Sequence, residues 1–135
     1  MRIAHLTDTH TTSLANTSIK HLLGKRALGY LSWRRKRAHR HTQRMLEHTT
    51  QAALDHNLNA VVITGDLLHI GLADEMRQIR PWLNALADQV PVLLVPGNHD
   101  LYAADSLQHW QQQLGDLPVF GARSGSEKPG SADWP

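Results

Sequence analysis

The sequence predicts an α/β fold built from parallel βαβ units. Three short apolar runs carry that expectation: RIAHLT at 2–7, AVVIT at 60–64 and VPVLLV at 90–95. Each is too continuous in its hydrophobicity for a strand with one face in water, which favours parallel strands covered by helices. The segments between them have helical spacing, so strand and helix alternate along the chain.

The first strand is expected over Arg2 to Thr7, ending in Asp8-Thr9-His10. Thr42 is placed to cap a helix running to about Asn57, with Met45, Leu46, Thr49, Ala52 and Ala53 on one side. A second strand, Ala60 to Thr64, breaks at Gly65-Asp66. Leu72, Met76, Ile79, Leu83 and Leu86 then form an apolar stripe on a helix that Pro81 should kink or divide. The third strand, Val90 to Val95, carries Pro91 and ends in PGNHD. Leu107, Trp110 and Leu114 suggest a last short helix. The domain is expected over 1–120, and 121–135, rich in Gly, Ser and Pro, reads as a loop or disordered tail.

Composition sets the bounds. At 135 residues and 41% hydrophobic, the chain is large enough to bury one core. The absence of Cys rules out disulfides, thiolate nucleophiles and zinc–cysteine sites. The opening MRIAHLTD shows no charged leader, and no run approaches the roughly 18 apolar residues of a membrane span, so a soluble cytoplasmic protein is expected. The net charge of +2 is unevenly spread: residues 1–50 hold 10 basic and 2 acidic side chains, and 51–135 hold 4 and 10. Eight of the basic residues fall between Lys20 and Arg40, with no acid among them. Such a block suits a phosphate, a nucleic acid or an anionic membrane surface, or is simply a solvated face.

In parallel sheets, ligands bind beyond the carboxyl ends of the strands. Asp8 and His10, Asp66, and Asn98, His99 and Asp100 all fall there. If its segment stays extended, Asp8 shares a face with His10, and the pair offers one oxygen and one nitrogen to a divalent cation. Asp66 has two oxygens with which to bridge to a second cation, and Asn98 an amide oxygen for that one. Two such ions can activate a water and clamp a phosphate for in-line displacement, with His99 protonating the departing oxygen. Gly65 and Gly97 would let backbone approach a metal or phosphate.

The ordered motifs DTH at 8–10, GD at 65–66 and GNHD at 97–100, each after an apolar strand, resemble those of the calcineurin-like metallophosphoesterases. The resemblance implies a sandwich of two mixed sheets flanked by helices, and hydrolysis of phosphomonoesters or phosphodiesters with two metals, often manganese, iron or zinc. It makes Asp8, His10 and Asp66 ligands of the first metal, with Asp66 bridging, and Asn98 a ligand of the second. It makes His99 the acid near the leaving group, with Asp100 as its orienting partner. GDLLH resembles the GD-x-x-H form of the repair-nuclease branch, which would set His69 beside the catalytic histidine.

The family's later Gly-His and Gly-His-x-His motifs are missing, since His109 follows no Gly. An incomplete member is therefore expected, covering the N-terminal part of the sandwich. Its second metal site would be short of ligands, its activity alone weak or absent, and its uncovered sheet prone to self-association. Three readings stay open: a phosphoesterase, a nucleic-acid-binding or nuclease-type module, and a non-catalytic remnant that meets an anionic partner or membrane through residues 20–40. His5 is read as a buried or half-buried strand residue. His21, His39, His41, His48, His56 and His109 are read as solvent-facing, and Trp33, Trp82 and Trp110 as packing.

Overall fold

Strand β1 covers Ile3–Leu6, β2 Ala60–Thr64 and β3 Val92–Val95, all within a residue or two of the expected runs. In a computed structural model of the chain, which describes residues 1–36 and 43–117, they form a parallel sheet in the order β1-β2-β3. Leu6 pairs with Ile63, and Ile63 with Leu94, so the three strands end side by side. Pro91, which has no N–H to give a ladder, precedes β3 and contributes only its carbonyl, to Val61 N–H.

Among the described residues four helices complete the order: α1 Lys25–Lys36, α2 Gln43–Leu54, α3 Ala73–Ala87 and α4 Ser106–Leu114, with a 3-10 turn at Ile19–His21. Alternation along the strands sends Leu6, Val61, Ile63, Val92 and Leu94 to one face. There they pack with Leu46 of α2, with Met76, Ile79, Trp82, Leu83 and Leu86 of α3, and with Trp110 and Leu114 of α4. The stripe expected on α3 is thus the one buried. Pro81 does not divide it: α3 is continuous over 15 residues, and the apolar contacts on both sides of the proline hold the two halves together.

The opposite face of the sheet is less covered among the described residues. Ile3 and Val95 are exposed there, and Val62 and Leu93 are half-buried. His5 lies on this face and is exposed rather than buried, bonded through Nε2 to Thr64 Oγ1 at 2.7 Å. Helix α2 also turns differently from expectation. It buries Leu46 and Thr50, while Met45 is 63% exposed, because packing against Trp82 selects the Leu46 side; the Trp82 indole donates to Thr50 Oγ1 at 3.2 Å. Thr42, His39, His41 and the segment 121–135 lie outside the described residues.

The basic block is largely helix α1, and its inward stripe is unusual: Arg26, Gly29, Tyr30 and Trp33, while Leu28 and Leu31 are exposed. Arg26 is buried. It makes a two-point pair with Asp105, at 2.7 and 2.9 Å, and donates to Ile70 O, Gly71 O and Ser106 Oγ. Below the helix lies a second apolar cluster of Leu14, Trp33, Ile70 and Leu72, flanked by Leu22, Tyr30 and Tyr102. A buried arginine held by five hydrogen bonds therefore docks α1 over the loops that follow β2 and β3.

Candidate metal centre

The loops that leave β1, β2 and β3 carry every candidate residue, and backbone contacts lock the loops together. Asp8 N–H donates to Gly65 O at 3.2 Å and His10 N–H to Asp66 O at 3.0 Å. A Cβ on Gly65 would lie 2.3 Å from Gly97 N, and one on Gly97 would lie 2.3 Å from Asp66 Oδ1 and 2.6 Å from Asp66 N. The two glycines thus serve the approach of one loop to the other, rather than the approach of a ligand to backbone.

Two buried carboxyl groups brace this arrangement. Asp100 accepts from Leu68 N–H through Oδ1 at 2.9 Å and from Gly97 N–H through Oδ2 at 2.8 Å, joining the second loop to the third. Burial pushes its carboxyl up to about 6; the negative charge of Asp66 adds to the rise, and the backbone hydrogen bonds oppose it. Glu75, at the third position of α3, is wholly buried and takes four donors. Oε1 accepts from the Thr12 hydroxyl at 2.8 Å and His69 N–H at 2.6 Å, and Oε2 from Ile70 and Leu72 N–H, both at 3.1 Å. One side chain thus fixes the curve of residues 69–72 and ties it to the β1 loop.

That curve presents two carbonyls to the histidines of the neighbouring loops. His10 Nδ1 donates to Leu68 O at 2.6 Å, and His99 Nδ1 donates to His69 O at 2.7 Å. A carbonyl only accepts, so the proton sits on Nδ1 in both rings, and the chemistry of each turns on Nε2. Asp66 Oδ1 accepts His99 N–H at 2.8 Å, and the His10 and His99 rings meet edge to face with centroids 4.8 Å apart. One ligand atom each from His10, Asp66 and His99 then lies within 4.8 Å of the others. The His10 imidazole and the Asp66 carboxylate suit a first-row divalent ion, and His99 Nε2 beside them is placed either to join as a third ligand or to carry a proton, not both at once.

The backbone here is unusual. Asp8, His10 and Asp66 have φ of 52°, 43° and 52°, in the left-handed region that side-chain-bearing residues seldom adopt. The extended segment expected to align Asp8 with His10 is therefore absent. The Asp8 side chain is exposed, accepts from the Thr7 hydroxyl at 2.6 Å and lies outside the three-donor cluster. Asn98 is exposed on the turn that follows β3. His69 is buried, its ring stacked on that of His10 at 5.4 Å and its Nε2 donating to Thr12 O at 2.9 Å.

A family model described as calcineurin-like phosphoesterase matches residues 1–130. The chain belongs to the calcineurin-like phosphoesterase family. It is also similar to the DNA double-strand break repair protein Mre11 of Archaeoglobus fulgidus, 29% identical over 128 residues. That match takes in 91% of the chain and 25% of the relative, so the chain spans about a quarter of that protein's length. The parallel sheet with its strand-end centre corresponds to the N-terminal part of the calcineurin-like phosphoesterase fold. Members of the family are hydrolases of phosphate esters that generally bind two divalent metals, and in this chain the cluster of His10, Asp66 and His99 is a place where one such ion would fit.

Beside the centre lies a pocket of about 150 Å³, walled by Leu28, Gly29, Ser32 and Trp33 of α1 on one side and by His69, His99 and Tyr102 on the other. A larger cleft of about 410 Å³, lined by Ser13, Asn16, Thr17, Asp74, Arg77 and Gln78, contains none of the candidate residues. Sequence reasoning missed Glu75, Arg26 and this pocket wall. Glu75 sits in the first turn of a helix, where an acid is ordinary, and the only available signal was its place six residues after His69.

Proposed function

We propose that the chain is a metal-dependent phosphoesterase whose reaction centre is the cluster of His10, Asp66 and His99. The observation that carries this reading is the convergence of the three ligand atoms within 4.8 Å at the carboxyl ends of adjacent parallel strands. When bound, divalent ions supply a water of lowered pKa and positive charge against the phosphate. His10 and Asp66 hold that charge, with Asp8 and Asn98 as further donors on the same sheet edge. His99, steadied through Nδ1, delivers a proton from Nε2 to the oxygen that leaves. Asp100 acts through the backbone: it sets Gly97 against Leu68 and so fixes the turn that carries His99. His69 positions His99 through its carbonyl.

The test is hydrolysis of an aryl phosphate monoester and diester by the full chain with added manganese, beside Asp66→Asn and His99→Ala. Asparagine tolerates the left-handed backbone at 66 and keeps an acceptor for His99 N–H, so the substitution isolates the lost charge. Turnover that both changes abolish supports the reading. Folded wild-type protein without turnover refutes it for this chain.

A second reading, a nucleic acid as the phosphodiester, is favoured by the Mre11 relative and by exposed Arg34 and Arg35, which follow Trp33 on α1. It predicts nucleic acid binding that falls steeply with salt and weakens in Arg34→Ala/Arg35→Ala. Localisation in the cytoplasm remains part of this proposal.

A further inference from the structure

The pocket between α1 and the metal centre has a shape and a lining that say what enters it. Gly29 brings α1 so close that a Cβ there would lie 2.5 Å from Ile70 Cγ2 and 3.0 Å from the Tyr102 hydroxyl. Arg26 fixes the helix at that distance by its bonds to Asp105, Ile70 O and Gly71 O. The opposite wall is also held. The Tyr102 ring stacks with that of His99 at 5.5 Å, and Lys25 Nζ sits 4.2 Å from its centroid. Trp33 lies 7% exposed in the α1 wall, its ring 6.2 Å from that of His69. The result is a slot with aromatic walls, no carboxylate in its lining, and His99 on its edge.

We propose that this slot is a leaving-group subsite that takes a single uncharged aromatic ring, the alcohol side of the phosphate ester. The inference rests on the phosphoesterase reading above, in which His99 protonates the departing oxygen. A group bonded to that oxygen must lie beside His99, and this slot is lined by His99. Size sets the class: about 150 Å³ is the volume that accommodates one benzene ring, and this slot, whose lining mixes rings with the polar His69, His99 and Ser32, has that volume. Rings such as Trp33 and Tyr102 favour an aromatic guest through offset stacking.

The test has two readouts on the full chain. Labelled, metal-free protein is titrated with phenol while the Trp33 indole N–H is followed, its signal assigned with Trp33→Phe. A saturable shift is expected, with affinity reduced about tenfold or more in Ser32→Leu, which adds methylenes to the slot. Ser32 is exposed on a helix, so leucine there is compatible with folding, and Leu28→Trp narrows the same slot independently. The manganese-loaded chain is then given the phenyl and ethyl esters of whichever class it hydrolyses. The phenyl-over-ethyl ratio of kcat/KM is expected to fall about tenfold or more in both variants. Absence of a saturable shift, or a ratio that neither variant moves, overturns the subsite and leaves the phosphoesterase reading standing. Phenol binding at Trp33 in a folded chain that hydrolyses neither ester upholds the aromatic site and overturns the phosphoesterase reading instead.

Discussion

Replacing Glu75 tests whether one buried carboxyl group holds the second loop in its working shape. Glu75→Ala strands three backbone donors, His69, Ile70 and Leu72 N–H, along with the Thr12 hydroxyl. A buried donor left without an acceptor costs about 1–3 kcal/mol, so the three amides together cost about 3–9 kcal/mol. That approaches the roughly 5–15 kcal/mol that holds a whole domain, and the alanine variant is expected to unfold or lose the loop. Glu75→Gln is gentler. Its amide nitrogen must face either the pair Ile70 and Leu72 or the pair His69 and Thr12. The second choice strands only His69 N–H, because the Thr12 hydroxyl can turn and accept. The expected loss is therefore about 1–3 kcal/mol, or a fall in Tm of roughly 3–4 °C per kcal/mol for a domain of this size. Removing the desolvation of a buried charge opposes this, but the glutamate already has four donors to offset that cost. Urea and thermal unfolding give the stability, and hydrogen exchange at His69 N–H reports the loop. Since Leu68 O and His69 O hold His10 and His99, the glutamine variant should also bind manganese about 10–100-fold more weakly. A glutamine variant within about 0.5 kcal/mol of wild type, with His69 N–H still protected, refutes the assignment.

Other outcomes follow from the same loops. Gly97→Ala drives a methyl into Asp66 N and Oδ1, so it should cost about 1–3 kcal/mol and weaken manganese binding, read together by melting with and without metal. Manganese at a hundred times its dissociation constant should raise stability by about 2.7 kcal/mol, and His10→Ala should remove that gain. Arg26 bonding holds the Asp105 carboxyl below its ordinary range, with partial burial opposing. A lowered acid pKa stabilises the fold above the unfolded value of 3.8, and that contribution is lost as pH falls through the folded value. The stability gap between wild type and Asp105→Asn should therefore be constant at neutral pH and close below about pH 4, as thermal melts at pH 7, 4 and 3 would report.

Much of the fold was legible because strand and helix periods are local properties. The β2 run was recognisable to the residue, and the Met76 to Leu86 stripe is the buried face of α3. The His10, Asp66 and His99 cluster was legible because parallel strands bring their ends together. What resisted reading depends on contacts distant in sequence. Met45 and Leu46 are equally apolar, and the core residues far along the chain, Trp82 among them, decide which is buried. His5 reads as a buried strand residue until the sheet's open face is known. Arg26 looks like one charge in a basic run until Asp105 and two carbonyls close around it. Asp8 was expected to align with His10, and no local signal announced the left-handed turn that separates them.

That left-handed backbone changes how mutants at this centre should be interpreted. Alanine at Asp8, His10 or Asp66 removes a side chain and also inserts a residue that resists φ near +50°, so an alanine scan mixes two injuries. Glycine separates them, because it deletes the donor while relaxing the turn. Asp8, whose exposed carboxylate accepts from the neighbouring Thr7 hydroxyl, is the clearest case. Asp8→Gly should leave the metal-free chain as stable as wild type or more so, by up to about 1 kcal/mol, whereas Asp8→Ala should not. On the proposed phosphoesterase reading, the conformational cost carried at these three positions is what their roles as metal donors would require.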